Sequence, residues 1–232
     1  GLMEGIRGEV FHPLYPACLL AAHDLLHQAG LPERATTWDL AGQLVSLVAA
    51  LAATAGLWAF AERVFSWKIA FVALLLLSLT RKWAWLGADA LTDALALAFQ
   101  IWAAALAVTA ANRMRARRGW MPAAVGVGVC AGLGYLVRPE ALLVLAVAAA
   151  VWMSAALRRE IPWRKSSKAA VLAAAVALLL SGPYMLLIGG FTKKKAVSDF
   201  VRTSEPLPMP IAAMGLSGVA EATEDESAVE KV

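Results

Sequence analysis

Charged side chains are sparse in this chain, 16% of residues against 60% that are hydrophobic. That balance excludes a soluble domain of 232 residues and points to an integral membrane protein. Cysteine is rarer still. Cys18 and Cys130 stand far apart and the second lies in an apolar run, so they support neither a disulfide framework nor a metal cluster and read as packing residues. Histidine occurs three times. His23 and His27 are one helical turn apart, a spacing open to a metal, but no third ligand and no intervening acid of the metalloprotease pattern accompanies them. Acidic residues are outnumbered by basic ones, 17 to 21. The basic excess sits in short loops between apolar runs, which suits membrane orientation and argues against nucleic acid as a partner. Gly1 is not an initiator methionine and no signal peptide precedes it, so the chain reads as an interior or trimmed piece of a longer one.

What the chain does have is long apolar runs. Leu40 to Phe60 is long enough to span a bilayer, which needs roughly 20 residues, and Thr37 or Asp39 is placed to cap it. Ile69 to Thr80 is shorter and is extended toward the interface by Trp83, Trp85 and Leu86; Ala88 to Ala111, Gly119 to Val137, Ala141 to Leu157 and Ala169 to Ile188 follow. The expected fold is all-α, a polytopic bundle of about six transmembrane helices over residues 35–190. Residues 1–34 should form an outer-face loop and an amphipathic interfacial helix, because Leu19, Leu20, Leu25 and Leu26 alternate in helical register with His23, Asp24, His27 and Gln28. Residues 191–232, rich in proline and then in acid, should be an outer-face loop or a disordered tail.

Loop charges fix the expected orientation. Arg63 and Lys68, then Arg113, Arg115, Arg117 and Arg118, then Arg158, Arg159, Arg164, Lys165 and Lys168 follow the first, third and fifth runs, so the positive-inside rule makes those loops cytoplasmic. The Lys82 to Asp93 loop, the turn at Arg138 and the run Lys193-Lys194-Lys195 then fall on the outer face, the lysines running mildly against the rule.

Among the polar residues, Arg138-Pro139-Glu140 stands out, since it interrupts two apolar runs. Pro139 cannot donate a backbone N–H and pushes Arg138 out of helical geometry, which sets a hairpin turn there. Arg138 and Glu140 either close that hairpin as a structural pair, or the guanidinium grips a phosphate at the membrane surface. Asp89 and Asp93 are four apart on one helix face, where like charges repel unless a cation, a basic substrate or the helix N-terminus compensates. His12-Pro13-Leu14-Tyr15-Pro16 holds His12 and Tyr15 on an extended, proline-stiffened segment, either as an interfacial anchor or as polar tips presented beside lipid. Lys193, Lys194 and Lys195 either snorkel or attract an anionic head group. The glycines from Gly126 to Gly132 superficially resemble a nucleotide loop, but they lie inside an apolar helix with the wrong spacing. Gly128 and Gly132 are therefore expected to pack against a neighbouring helix.

His12 to Pro16, Leu40 to Ser46, Gly87 to Leu95, Gly132 to Leu143 and Gly182 to Leu186 occur in the order seen in GT-C membrane glycosyltransferases. Over about Gly5 to Asp199 the chain resembles the branch related to protein O-mannosyltransferases and lipid A aminoarabinose transferases. The resemblance implies transfer of a sugar from a polyprenyl-phosphate carrier to an acceptor of unspecified class, at the outer face of a membrane, in a bacterium the inner one. For such a transfer Arg138 and Lys193 to Lys195 are candidates for the phosphate side, His12, Tyr15 and Asp89 for lining the sugar or acceptor pocket, and Glu140 for binding substrate beside Arg138; the resemblance permits a divalent metal ion as cofactor. In the family an acidic residue of the first outer loop precedes the His-Pro-Leu-Tyr-Pro segment. Glu4 and Glu9, the acids upstream of His12, do not match its position, so the catalytic residue is left unassigned and the piece is expected to be inactive alone. A transporter whose Arg138 and Glu140 line a polar path, or a structural subunit held by glycine packing, are the other readings.

Overall fold

The computed structural model describes residues 12–80 and 92–188, and every regular element among them is helical. They are α1 (Leu14–Gln28), α2 (Ala35–Val64), α3 (Trp67–Ser78), α4 (Thr92–Arg115), α5 (Met121–Tyr135), a 3-10 turn (Pro139–Leu142), α6 (Leu143–Leu157) and α7 (Trp163–Ile188). Four segments are long and apolar enough to cross a membrane: α2, α4, the 3-10 turn with α6, and α7; α3 and α5 are shorter apolar helices. Expected runs two and four are thus helices of 12 and 15 residues. The tryptophans meant to extend the former lie outside the described residues, as do Asp89, Lys193 to Lys195 and the acidic tail.

The packing is that of a membrane bundle. Buried positions are mostly alanine, with Gly128, Gly132 and Gly134 among them, while Leu51, Leu76, Leu79, Leu179 and Leu186 are exposed. In water this distribution would leave a large apolar surface uncovered; in lipid, small residues let helices approach while large ones face the acyl chains. Central α4 packs against α2, α5 and α6, and α7 covers α5 and α6. A Cβ on Gly128 would lie 2.5 Å from the Ala173 carbonyl oxygen and 2.7 Å from Val176 Cβ; one on Gly132 would lie 2.9 Å from Leu180 Cβ. The glycines therefore seat α5 on the backbone of α7, as their spacing predicts. Two indoles bridge other pairs: Trp102 Nε1 donates to the Ala52 carbonyl and Trp152 Nε1 to that of Ala107, both at 2.9 Å.

Several local expectations are corrected. The helix begins at Leu14, so Tyr15 and Pro16 sit in its first turn and not on an extended strand, a position where proline's missing N–H is not needed. On α1 Ala22 and His23 are buried, Leu19 and Leu26 are partly buried, and Leu20, Leu25, Asp24, His27 and Gln28 are exposed. His23 packs flat on Trp38, ring centroids 3.7 Å apart. Thr37 does not cap α2: Arg34 holds that position, and the Thr37 hydroxyl donates to the Pro32 carbonyl at 2.7 Å. Finally, α7 starts at Trp163, so Arg164, Lys165 and Lys168 belong to its first turns and not to a loop.

Along α4, Asp93 near the start and Arg113 near the end are separated by a rise of about 30 Å, close to the thickness of a bilayer's hydrocarbon core. The bundle accordingly has two polar ends.

Candidate functional site

At the end bearing Asp93, four chain segments meet. The C-terminus of α5 leaves the Leu136 carbonyl without a helical partner, and the start of α1 leaves the Leu14 N–H without one. The two satisfy each other at 3.0 Å. This bond sets His12 against Tyr135 and Tyr184, with ring centroids 5.4 Å away in each case, edge-on to the first and tilted to the second; Tyr135 and Tyr184 are 6.3 Å apart. Tyr135 is wholly buried. Tyr184 follows Pro183, which interrupts the hydrogen-bond ladder near the end of α7. Tyr15, one residue into α1, is hydrogen-bonded with Ser46 of α2; burial pushes its phenol up and the Ser46 bond opposes part of that.

The arginine turn lies beside this cluster. Arg138 is extended (φ −150°, ψ 133°) and begins the 3-10 turn, as a residue before proline should. Its side chain reaches across to the first turn of α4, where Nε donates to Thr92 Oγ1 at 3.1 Å and Nη2 pairs with the Asp93 carboxylate. Asp93 is thus compensated by a cation as well as by the helix N-terminus. The guanidinium is less than half exposed, and of its five N–H donors the hydrogen bond and ion pair engage two groups, which leaves others for an anion. Glu140 is exposed on the 3-10 turn. Gly134 is needed at the base of the turn, because a Cβ there would lie 2.9 Å from Ala141 Cβ and 3.3 Å from Phe99 Cβ.

From just beyond Asp93 an apolar groove of about 360 Å³ runs along α4, past Leu95, Phe99 and Trp102, walled by α1, α2 and α5 and floored in part by Cys18 and Cys130. Among the described residues no three potential ligands group together; His27 Nδ1 lies 3.3 Å from the Leu31 carbonyl, and the His23 ring stacks on Trp38.

Of the predicted residues the structure sets His12 on Tyr135 and Tyr184 and Arg138 on Thr92 and Asp93, with Tyr15 in the first turn of α1. Asp93 had a signal in its i, i+4 relation to Asp89. Tyr135 and Tyr184 had only their place beside a proline or a turn.

Residues 37–186 match the family model described as dolichyl-phosphate-mannose-protein mannosyltransferase. The chain belongs to that family. Comparison with curated proteins and with solved structures gives no match. As a family member the protein is a multi-pass integral membrane glycosyltransferase, and membership implies a lipid-linked sugar donor in general. The matched span begins one residue before Trp38 and ends two beyond Tyr184, so it includes Asp93, Tyr135 and Arg138.

Proposed function

We propose that this protein moves a sugar from a polyprenyl-phosphate carrier to an acceptor at the outer face of a membrane, the inner membrane of a bacterium, with Arg138 on the carrier phosphate. The observation that carries this reading is the half-exposed guanidinium held by Asp93 and Thr92 in the first turn of α4, the helix whose next residues, from Leu95 on, line an apolar groove. In this reading the carrier phosphate takes the guanidinium and the isoprenoid lies along the groove, one polar group and one apolar cavity on the same helix. In the reaction, an acceptor oxygen bonds to the anomeric carbon while that carbon's bond to the phosphate oxygen breaks. The electron pair leaves with the phosphate and the acceptor's proton passes to a base. Developing negative charge on the phosphate is stabilised by Arg138, prealigned at no further cost by its carboxylate partner. His12 and Tyr15 line the sugar or acceptor side in this reading, backed by Tyr135 and Tyr184. Glu140 stays a substrate-binding candidate in this reading, as do Lys193 to Lys195, which lie outside the described residues.

Binding tests it directly. Saturable binding of a polyprenyl-phosphate-linked sugar to the purified chain in detergent should weaken about tenfold or more in Arg138→Ala, the loss of one charged hydrogen-bonding group. Glu140→Ala should change it less. Equal binding by a folded Arg138→Ala protein overturns the assignment of Arg138.

A further inference from the structure

The opposite end of the bundle holds a second polar cavity, which the proposed transfer does not use. It measures about 500 Å³, within the range of small-ligand sites, and lies between the end of α4, the end of α6 and the start of α7. Met114 and Ile161, both nearly inaccessible, form its floor. Arg115, Arg117, Arg159 and Lys165 line it together with one acid, Glu160. Arg115 is committed: its Nε and Nη2 both donate to Glu160 Oε2, at 2.8 and 2.6 Å, and Nη1 donates to Asn112 Oδ1 at 2.8 Å. That pair neutralises itself. Arg117, Arg159 and Lys165 have no acidic partner among the described residues.

The backbone points the same way. Helices α1, α4 and α6 all end in one kind of turn, in which two successive N–H groups bond back to carbonyls three and five residues earlier. The first of these two residues must be left-handed, where glycine is favoured. At the end of α1 it is Gly30, at φ 91°. At the ends of α4 and α6 it is Arg117, at φ 55°, and Arg159, at φ 60°. Among the described residues these are the two non-glycine residues with positive φ, and both line the one cavity. Strain of this kind is characteristic of ligand clamps. Lys165 adds to it. It lies in the first turn of α7, where the helix dipole disfavours a cation and favours an anion, and it is half-buried.

We propose that this cavity binds the phosphate of an anionic membrane lipid. Its rim argues for lipid over a soluble phosphate: Leu157 and Trp163 beside it are 75% and 53% exposed, an apolar chain and an interfacial indole at the level where acyl chains meet head groups. The site is independent of the carrier phosphate at the other end.

Gly30 suggests the test. Arg117→Gly with Arg159→Gly removes two cations while giving each turn the residue its geometry prefers, so folding is kept. The full chain is purified in detergent and its retained lipid counted by native mass spectrometry after exposure to phosphatidylglycerol or to phosphatidylcholine of the same acyl chains. Wild type should retain phosphatidylglycerol preferentially. The double variant should lose at least about tenfold of that retention, hold phosphatidylcholine unchanged, and melt at the same temperature or higher. Arg63→Gln with Lys68→Gln removes the same charge elsewhere and should change nothing. The proposal is overturned if the double glycine variant retains phosphatidylglycerol like wild type, if the Arg63 and Lys68 variant loses it equally, or if sodium phosphate displaces it as readily as added phosphatidylglycerol does.

Discussion

The two polar ends of this bundle treat arginine in opposite ways. At one, Arg138 sits in ordinary extended backbone and its charge is met by Asp93 from a helix remote in sequence. At the other, Arg117 and Arg159 occupy left-handed backbone that costs each roughly 1 kcal/mol, and their charges are left open. The paired arginine is prealigned by protein; the strained ones are presented by it. Prealignment suits a group that must meet charge developing during a reaction, whereas open presentation suits a resident anion.

Joining the ends is the α5–α7 seam, and its disruption should have the largest effect. Gly128→Leu places side-chain atoms where the Ala173 carbonyl and Val176 already stand, so about 3 kcal/mol or more of destabilisation is expected, read as loss of monodisperse protein and of thermal stability at both ends together. Arg138→Ala should separate the ends, weakening carrier binding about tenfold or more while phosphatidylglycerol retention at the far cavity is unchanged. Asp93→Asn keeps the shape and removes the charge that aligns Arg138. Carrier binding should fall about threefold to tenfold, and Arg138→Lys should not recover it, because an ammonium lacks the planar fork that reaches Thr92 and Asp93 together. Arg117→Gly alone should act with the opposite sign, raising the melting temperature as about 1 kcal/mol of backbone strain is relieved.

The smallest expected effect is on pH dependence at Tyr15. Its phenol is raised above 10.0 in the folded state by burial, so the neutral form is favoured there. The associated stability is complete below pH 10.0 and is lost as pH climbs through that value toward the folded one. Above it, wild type should melt earlier relative to Tyr15→Phe than it does at neutral pH.

The apolar runs announced the bundle, and Pro139 announced the turn, because proline's constraints are local and written in one residue. Gly128 and Gly132 were equally legible, since glycine at helical spacing in an apolar run has little to do except admit a neighbour. Helix ends were less so. Arg164, Lys165 and Lys168 look like a loop by charge, yet helical backbone tolerates them at an exposed end. At the site, Arg138 was visible as an expensive charge and Asp93 as one needing compensation, while their pairing was not, because an ion pair across 45 residues of sequence leaves no periodic trace. Tyr135 was hidden by its own burial: in an apolar helix an aromatic residue reads as core, which it also is. The stacking of His23 on Trp38 left no sign in the sequence, since the two rings come from different helices.

The bond from the Leu14 amide to the Leu136 carbonyl has a mechanical consequence. With it in place, the tilt of α1 and the orientation of the arginine turn are one degree of freedom instead of two. A displacement of α1 therefore reaches the turn through this amide as well as through the rings around His12, and the exchange rate of that one proton against deuterium is a gauge of how firmly the two move together.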